Sequence, residues 1–372
     1  MKRNVMFLIY SLCGGGAERV LVETVNHLNP EKYDITLKAL FHDDTRAKLL
    51  APHVKYQPVF NIRSPLLQKL VSGVVQYLLP QKLSYQWFFK GDYDVEVAFM
   101  EAFPTKLLAY STNKKARKYA WVHIDVNTYT RQDRLYRSLA QQKWCYEQFD
   151  HIYCVSQNVQ DAFVQKFGMA DKTSIAYNIL DEKSILRKKD EPCTDLTHDK
   201  FLMVSVGSLI PRKGFGRLID CCARLSAEGY SFRLLILGKG ELESELQEKI
   251  LQVGLEDSIQ LLGFRSNPYP YIAAADLYVC PSYVEGFSTV VSEAVVLGIP
   301  VVTTESSGMR EILGDSEYGL VTANDDEALY QGIRRMLSEP DTYRHYQQKV
   351  KERAPFFSIQ KRLEEYETIL DQ

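Results

Sequence analysis

The chain has 372 residues, 45% apolar and 25% charged, an ordinary soluble-globular balance at a length that suits two domains rather than one core. No stretch approaches the ~18–20 uninterrupted apolar residues of a membrane-crossing helix. The seven cysteines show neither a CxxC nor metal-ligand spacing, which excludes a disulfide framework or zinc ribbon and points to buried thiols in a reducing, cytoplasmic setting.

The opening NVMFLIY reads as a strand and not as a signal peptide. It runs directly into a glycine turn and an amphipathic helix over Ala17–Leu28, with no small-residue cleavage site. Further strands follow at DITLKAL, DVEVAFM, KYAWV, HIYCV and TSIAY, separated by helical stretches. The polar segment 181–199 reads as a linker. Beyond it FLMVSV, FRLLIL, SIQLLG, DLYVC and VVTT alternate with helices in the same way. Such alternation predicts an α/β chain of two Rossmann-like, doubly wound parallel-sheet domains, 1–180 and 200–355. The closing segment 356–372 is a helix that either docks on the domain beside it or crosses back to the first; the sequence leaves both open.

Charge is uneven. Residues 1–180 carry 23 Lys and Arg against 16 Asp and Glu, and residues 181–372 carry 22 against 31. The basic half is expected to meet something anionic; nucleic acid is weighed against a membrane surface carrying pyrophosphate-linked lipids, and the second is favoured. Within that half, the stretch from Asn61 to Gly91 has no acidic residue, holds Arg63, Lys69, Lys82 and Lys90, and ends in Trp87, Phe88 and Phe89. It reads either as two core helices or as an amphipathic surface for an anionic leaflet.

The most informative segment is SYVEGFSTVVSEAVVLGIPVV. DLYVCPS before it reads as a buried strand, Glu285-Gly286 as a turn, and Phe287–Leu297 as a helix. Glu285 is therefore expected at the carboxyl end of a strand, where open α/β sheets bind ligands. The helix start from Phe287, with Ser288 and Thr289, offers unpaired N–H groups to an anion. Glu293, two turns on, is expected off the apolar stripe and free to face a cleft. Arg212 and Lys213 follow the Gly207 turn and suit a diphosphate. Gly14, Gly15 and Gly16 follow the first strand, as a plain turn or as a close approach to a phosphate. His123 ends the strand KYAWV and is either structural or a contact for hydroxyls. There is no GxGxxG, GxSxG or HExxH, which disfavours dinucleotide, serine-hydrolase and zinc-protease chemistry.

These residues together resemble a retaining glycosyltransferase of family 4, with the glycosyltransferase-B fold of two Rossmann-like domains facing a central cleft. The likeness rests on the E-x7-E segment ending EAVVLGIPVVTT, and on the early GGGAER followed by VGSLIPRKG, GKGELESEL and LLGFRSN, in the family's usual order. It implies that Glu285 holds the donor sugar, Glu293 the ribose, and Gly286, Phe287, Ser288 and Thr289 the diphosphate. Lys213, with Arg212, would neutralise that diphosphate; Gly15 and Gly16 would approach it; His123 would contact the sugar; and Phe264 would lie by the base. The chain departs from the pattern at Ser208, where many members carry an arginine. The resemblance implies a UDP-linked donor, a lipid-linked or oligosaccharide acceptor, no cofactor, no metal and no nucleic acid. The chemistry it implies is front-face transfer with retention, in surface-polysaccharide assembly at the inner face of the plasma membrane. A sugar-nucleotide epimerase or a non-catalytic nucleotide-sugar-binding partner is the alternative.

Overall fold

A computed structural model describes residues 2–13, 15–193, 196 and 199–372. The chain divides into two compact units, one of residues 1–179 with 360–372, the other of residues 180–359.

The first unit is built on a seven-stranded sheet. Its strands are β1 (Arg3–Ile9), β2 (Tyr33–Phe41), β3 (Lys55–Phe60), β4 (Val95–Ala98), β5 (Arg117–Val122), β6 (His151–Cys154) and β7 (Thr173–Ile175), in the order β3-β2-β1-β4-β5-β6-β7. Every pairing among them is parallel. Val5 to Ile9 of β1 are all fully buried, as expected of a strand covered on both faces. Strand β3 was not anticipated: it lies at the sheet edge, is half exposed and contains Pro58, so its apolar signal is weak.

The helix Ile359–Asp371 packs into this same unit. Tyr366, fully buried, lies 5.4 Å from Trp121 ring to ring, and the Trp121 Nε1–H donates to its hydroxyl at 3.2 Å. The Tyr33 hydroxyl donates to Asp371 at 2.6 Å, and Lys32 pairs with Glu367 at 2.5 Å. Burial of Tyr366 and Leu370 is the main stabilising term, since exposed ion pairs contribute little.

The second unit holds β8 (Phe201–Val206), β9 (Phe232–Leu237), β10 (Ile259–Gly263), β11 (Leu277–Cys280), β12 (Val301–Thr304) and β13 (Leu320–Thr322), in the order β10-β9-β8-β11-β12-β13 and again parallel. Its core packs Leu218, Ile219, Cys222 and Leu225 of the helix Phe215–Ala227 against Leu234, Ile236 and Val279 of the sheet. Residues 182–188 of the segment read as a linker form a helix, capped by Asp181 and tied to this unit by Glu182, which accepts from the Ile359 N–H at 2.9 Å. Each sheet reverses its strand order once, between β1 and β4 and between β8 and β11. Open parallel sheets gather ligands outside the carboxyl ends of the strands at such reversals.

Candidate functional site

In the second unit the turn after β8 and the loop after β11 meet at that reversal. Pro211–Lys213 form one short helical turn, which Gly214 ends in the left-handed region at φ +68°. A Cβ on Gly214 would collide with the Pro281 carbonyl, so only glycine lets the two loops approach this closely. The Tyr283 N–H donates to the Arg212 carbonyl at 2.8 Å, stitching the loops together.

Glu285 is 7% exposed and is gripped from three sides. Lys213 Nζ donates to Oε1 at 2.5 Å, the Ser282 hydroxyl donates to the same oxygen at 2.6 Å, and Arg212 lies 3.7 Å from Oε2. Burial alone would raise its pKa; Lys213, Ser282 and Arg212 outweigh burial and hold the carboxyl below its ordinary value. Glu285 is therefore an anion at neutral pH. Arg212, 41% exposed, also donates to the Val284 carbonyl at 3.3 Å.

The helix next to this loop spans Thr289–Val296, two residues shorter at its start than expected, with Ser288 in the cap position and Gly286 and Phe287 in the approach. Ser288 is buried, and its hydroxyl has no hydrogen-bond partner among the described residues. A buried hydroxyl beside free helix N–H groups is a ready acceptor of an anionic ligand. Glu293 differs from expectation. It exposes no surface, and the Tyr269 hydroxyl reaches Oε1 at 3.5 Å. The reason is local: Val291, Ser292, Ala294, Val295 and Val296 are buried too, and only Thr289 and Val290 at the helix start are partly exposed. Phe264, just past β10, is 57% exposed and available for stacking.

The sequence reading missed the side chains that hold this loop. Arg217, 3% exposed, donates to the Pro281 carbonyl at 2.7 Å, to Thr304 Oγ1 at 3.1 Å and to Asn324 Oδ1 at 2.9 Å, and stacks 3.8 Å from the Tyr283 ring. Thr304 in turn donates to the Ser282 carbonyl at 2.6 Å, and Asn324 to the Tyr283 carbonyl at 2.8 Å. One readable signal existed: an arginine between Phe215 and Leu218 lies on the core side of its helix.

In the first unit, His123 follows β5 and Glu101 follows β4. Gly15 is extended and caps the helix Gly16–His27; Gly14 lies outside the described residues. A Cβ on Gly15 would run into the Glu18 carboxylate, so the chain's own acid covers this helix start. Burial pushes Glu18 up. The His123 N–H donates to Glu101 Oε2 at 3.1 Å, and its buried Nε2 has no partner among the described residues. Burial depresses His123 to about 4 and lifts Glu101 to about 7.

These two shifts set opposite stability slopes. His123 lies below its ordinary 6.5, so unfolding takes up a proton and stability is lost as pH falls from 6.5 to 4, by about 3 kcal/mol. Glu101 lies above its ordinary 4.5, so unfolding releases a proton and stability is lost as pH rises from 4.5 to 7, by a similar amount. Between 4.5 and 6.5 they oppose each other. Urea titrations of His123→Gln are expected to show stability falling steadily with rising pH across that window, where the parent is flatter. A variant that tracks the parent would refute the shift.

Two family models match this chain: "Glycosyltransferase Family 4" over residues 14–184 and "Glycosyl transferases group 1" over residues 187–353. The N-acetylgalactosamine-N,N'-diacetylbacillosaminyl-diphospho-undecaprenol 4-alpha-N-acetylgalactosaminyltransferase of Campylobacter jejuni is 37% identical over 57% of each chain. A putative colanic acid biosynthesis glycosyltransferase of Salmonella typhimurium is 38% identical over 34% of each. The aligned stretches thus span well under two thirds of either relative. Among solved structures, Anabaena HepE in complex with UDP and glucose superposes with a TM-score of 0.77 over 99% of both chains, at 23% identity.

Proposed function

Because this chain belongs to the family 4 glycosyltransferases, of the bacterial surface-polysaccharide type and with their two-domain glycosyltransferase-B fold, we propose that it moves a sugar from a UDP-linked donor to a lipid-linked saccharide. The observation that carries this reading is the cluster of Lys213, Ser282 and Glu285 beside the helix start at Ser288. Ser288, Thr289 and the helix N–H groups hold the diphosphate, with Gly286 and Phe287 leaving room for it. Lys213 and Arg212 supply the positive charge, and they stabilise the diphosphate most as it departs. Glu285, kept ionised, accepts hydrogen bonds from the sugar hydroxyls. Phe264 stacks on the base.

The reaction breaks the C1–oxygen bond to the diphosphate and forms the bond from C1 to the acceptor oxygen on the same face. The acceptor proton passes to the departing diphosphate oxygen. Retention follows without a covalent sugar–enzyme intermediate, so Glu285 positions and does not attack. The lipid-linked acceptor and the cytoplasmic donor place the enzyme at the inner face of the plasma membrane. Support for the acceptor is the activity of the Campylobacter relative; support for UDP is the ligand in HepE.

Thermal unfolding with a panel of UDP- and GDP-sugars tests the donor. At a hundredfold excess over Kd a bound donor adds about 2.7 kcal/mol, which raises the transition of a unit this size by roughly 5 °C or more. A rise with GDP-sugars alone would refute the UDP assignment, and no rise with any donor would refute the reading.

A further inference from the structure

The stretch 61–91 of the first unit turns much of its apolar surface outward, although Val75, Tyr85 and Phe89 anchor it in the core. Its helix Pro65–Gly73 buries only Ser72, while Leu66 and Leu70 are 81% and 65% exposed. The wider π-helical turn Val74–Leu78 that continues it buries Val75 and Gln76 and leaves Leu78 75% exposed. The next helical pair, Gln81–Ser84 and Tyr85–Phe89, buries Gln81, Ser84, Tyr85 and Phe89 and leaves Trp87 63% exposed.

Several of the buried polar groups are hydrogen-bonded into the unit, while Ser84 Oγ and Gln81 Oε1 are buried with no partner among the described residues. The Tyr10 hydroxyl donates to Ser72 at 3.0 Å, Gln81 Nε2 donates to the Val75 carbonyl at 2.9 Å, and Lys106 Nζ donates to the Gln76 carbonyl at 3.1 Å. These polar contacts fix the segment to the unit. The leucines contribute nothing to that attachment. Leu66, Leu70, Val74 and Leu78 instead line one continuous open groove, with Lys69 at its side. Amphipathic helices of soluble proteins turn their leucines inward; here Leu66, Leu70 and Leu78 face out while Val75, Tyr85 and Phe89 are buried, and a contiguous apolar surface of this kind marks a binding site.

The charge around it selects the occupant. The segment has no acidic residue, and Arg63, Lys69, Lys82 and Lys90 are all exposed. Exposed leucines and a tryptophan flanked by cations match a leaflet that offers acyl chains beneath anionic headgroups. Among the described residues no helix is long and apolar enough to cross a membrane, so the contact is with one face of a bilayer. We infer that residues 63–90 form a docking surface for anionic phospholipid, with Leu66, Leu70, Leu78 and Trp87 entering the interface and the four basic residues pairing with headgroups.

Sedimentation of the full chain with vesicles tests this. The vesicles are pure phosphatidylcholine, or the same lipid with roughly a third phosphatidylglycerol, at moderate salt. They carry no saccharide, so the outcome is independent of sugar transfer, and donor-induced thermal stabilisation is followed separately. The parent is expected to bind the anionic vesicles at least about tenfold more tightly than the neutral ones. The triple variant Leu66→Ser, Leu70→Ser, Leu78→Ser should lose most of that binding while its melting temperature holds, because these side chains are exposed. Lys69→Gln with Lys82→Gln should weaken it by roughly fivefold per residue and flatten its salt dependence. Absence of binding by the parent, or equal binding by parent and leucine variant, overturns the inference. A concentration-dependent dimer that the leucine variant abolishes would also overturn it, by assigning the surface to a second copy.

Discussion

Glu285→Gln is expected to lower sugar transfer by ~10²-fold or more while the fold survives. The substitution keeps the shape and keeps an oxygen for the Ser282 hydroxyl, but it removes the charge that Lys213 and Arg212 hold in place. Lys213 is 13% exposed along its side chain and can turn toward solvent, so the lost ion pair should cost only about 1–2 kcal/mol rather than the larger penalty of a fully sealed charge. Lys213→Ala should lower transfer to a similar degree and also weaken donor binding, because the diphosphate loses its cation in both the bound and the departing state. The two side chains touch, so the double variant should lose far less than the product of the single losses. Initial rates against donor concentration separate these effects. Near-parental turnover by Glu285→Gln would remove Glu285 from the mechanism.

How much of this was legible beforehand follows from the kind of signal each residue carries. Eleven of the thirteen strands were readable as apolar runs, because parallel strands covered on both faces admit little else. The two that were not, β3 and β13, are edge strands: one is half exposed and broken by Pro58, the other is three residues long. Glu285 and Lys213 stand out in the sequence because each lies in or just past a glycine-marked turn after a strand. Their pairing does not, since residues 72 positions apart carry no mark of contact. Glu293 was misplaced for a related reason: helical periodicity assumes a wet face along the whole helix, and in Thr289–Val296 only Thr289 and Val290 are partly exposed. In the stretch 61–91, composition alone left core and membrane surface equally open. The structure shows a division that composition does not encode: Val75, Tyr85 and Phe89 are buried, and Leu66, Leu70, Leu78 and Trp87 are exposed.

Arg217→Met is expected to lower the melting temperature of the second unit by about 10 °C, through the loss of roughly 3–4 kcal/mol. Methionine fills similar space, but it leaves the Pro281 carbonyl, the Thr304 hydroxyl and the Asn324 amide oxygen without the guanidinium that joins them. Those three groups belong to three segments: the loop after β11, the end of β12 and the turn after β13. Arg217 therefore ties to the sheet the same loop that carries Ser282 and Glu285. Arg217→Lys should recover only part of the loss, because one ammonium cannot span three acceptors in a fixed plane or stack on Tyr283 as a guanidinium does. Transfer measured well below the new melting temperature should still fall, mainly in turnover, since Glu285 keeps its charge but loses its fixed position. Calorimetry and initial rates on both variants decide the matter. If Arg217→Met melts within a degree or so of the parent and transfers normally, the loop is held by Gly214 and the backbone alone, and Arg217 is a core residue without a part in the site.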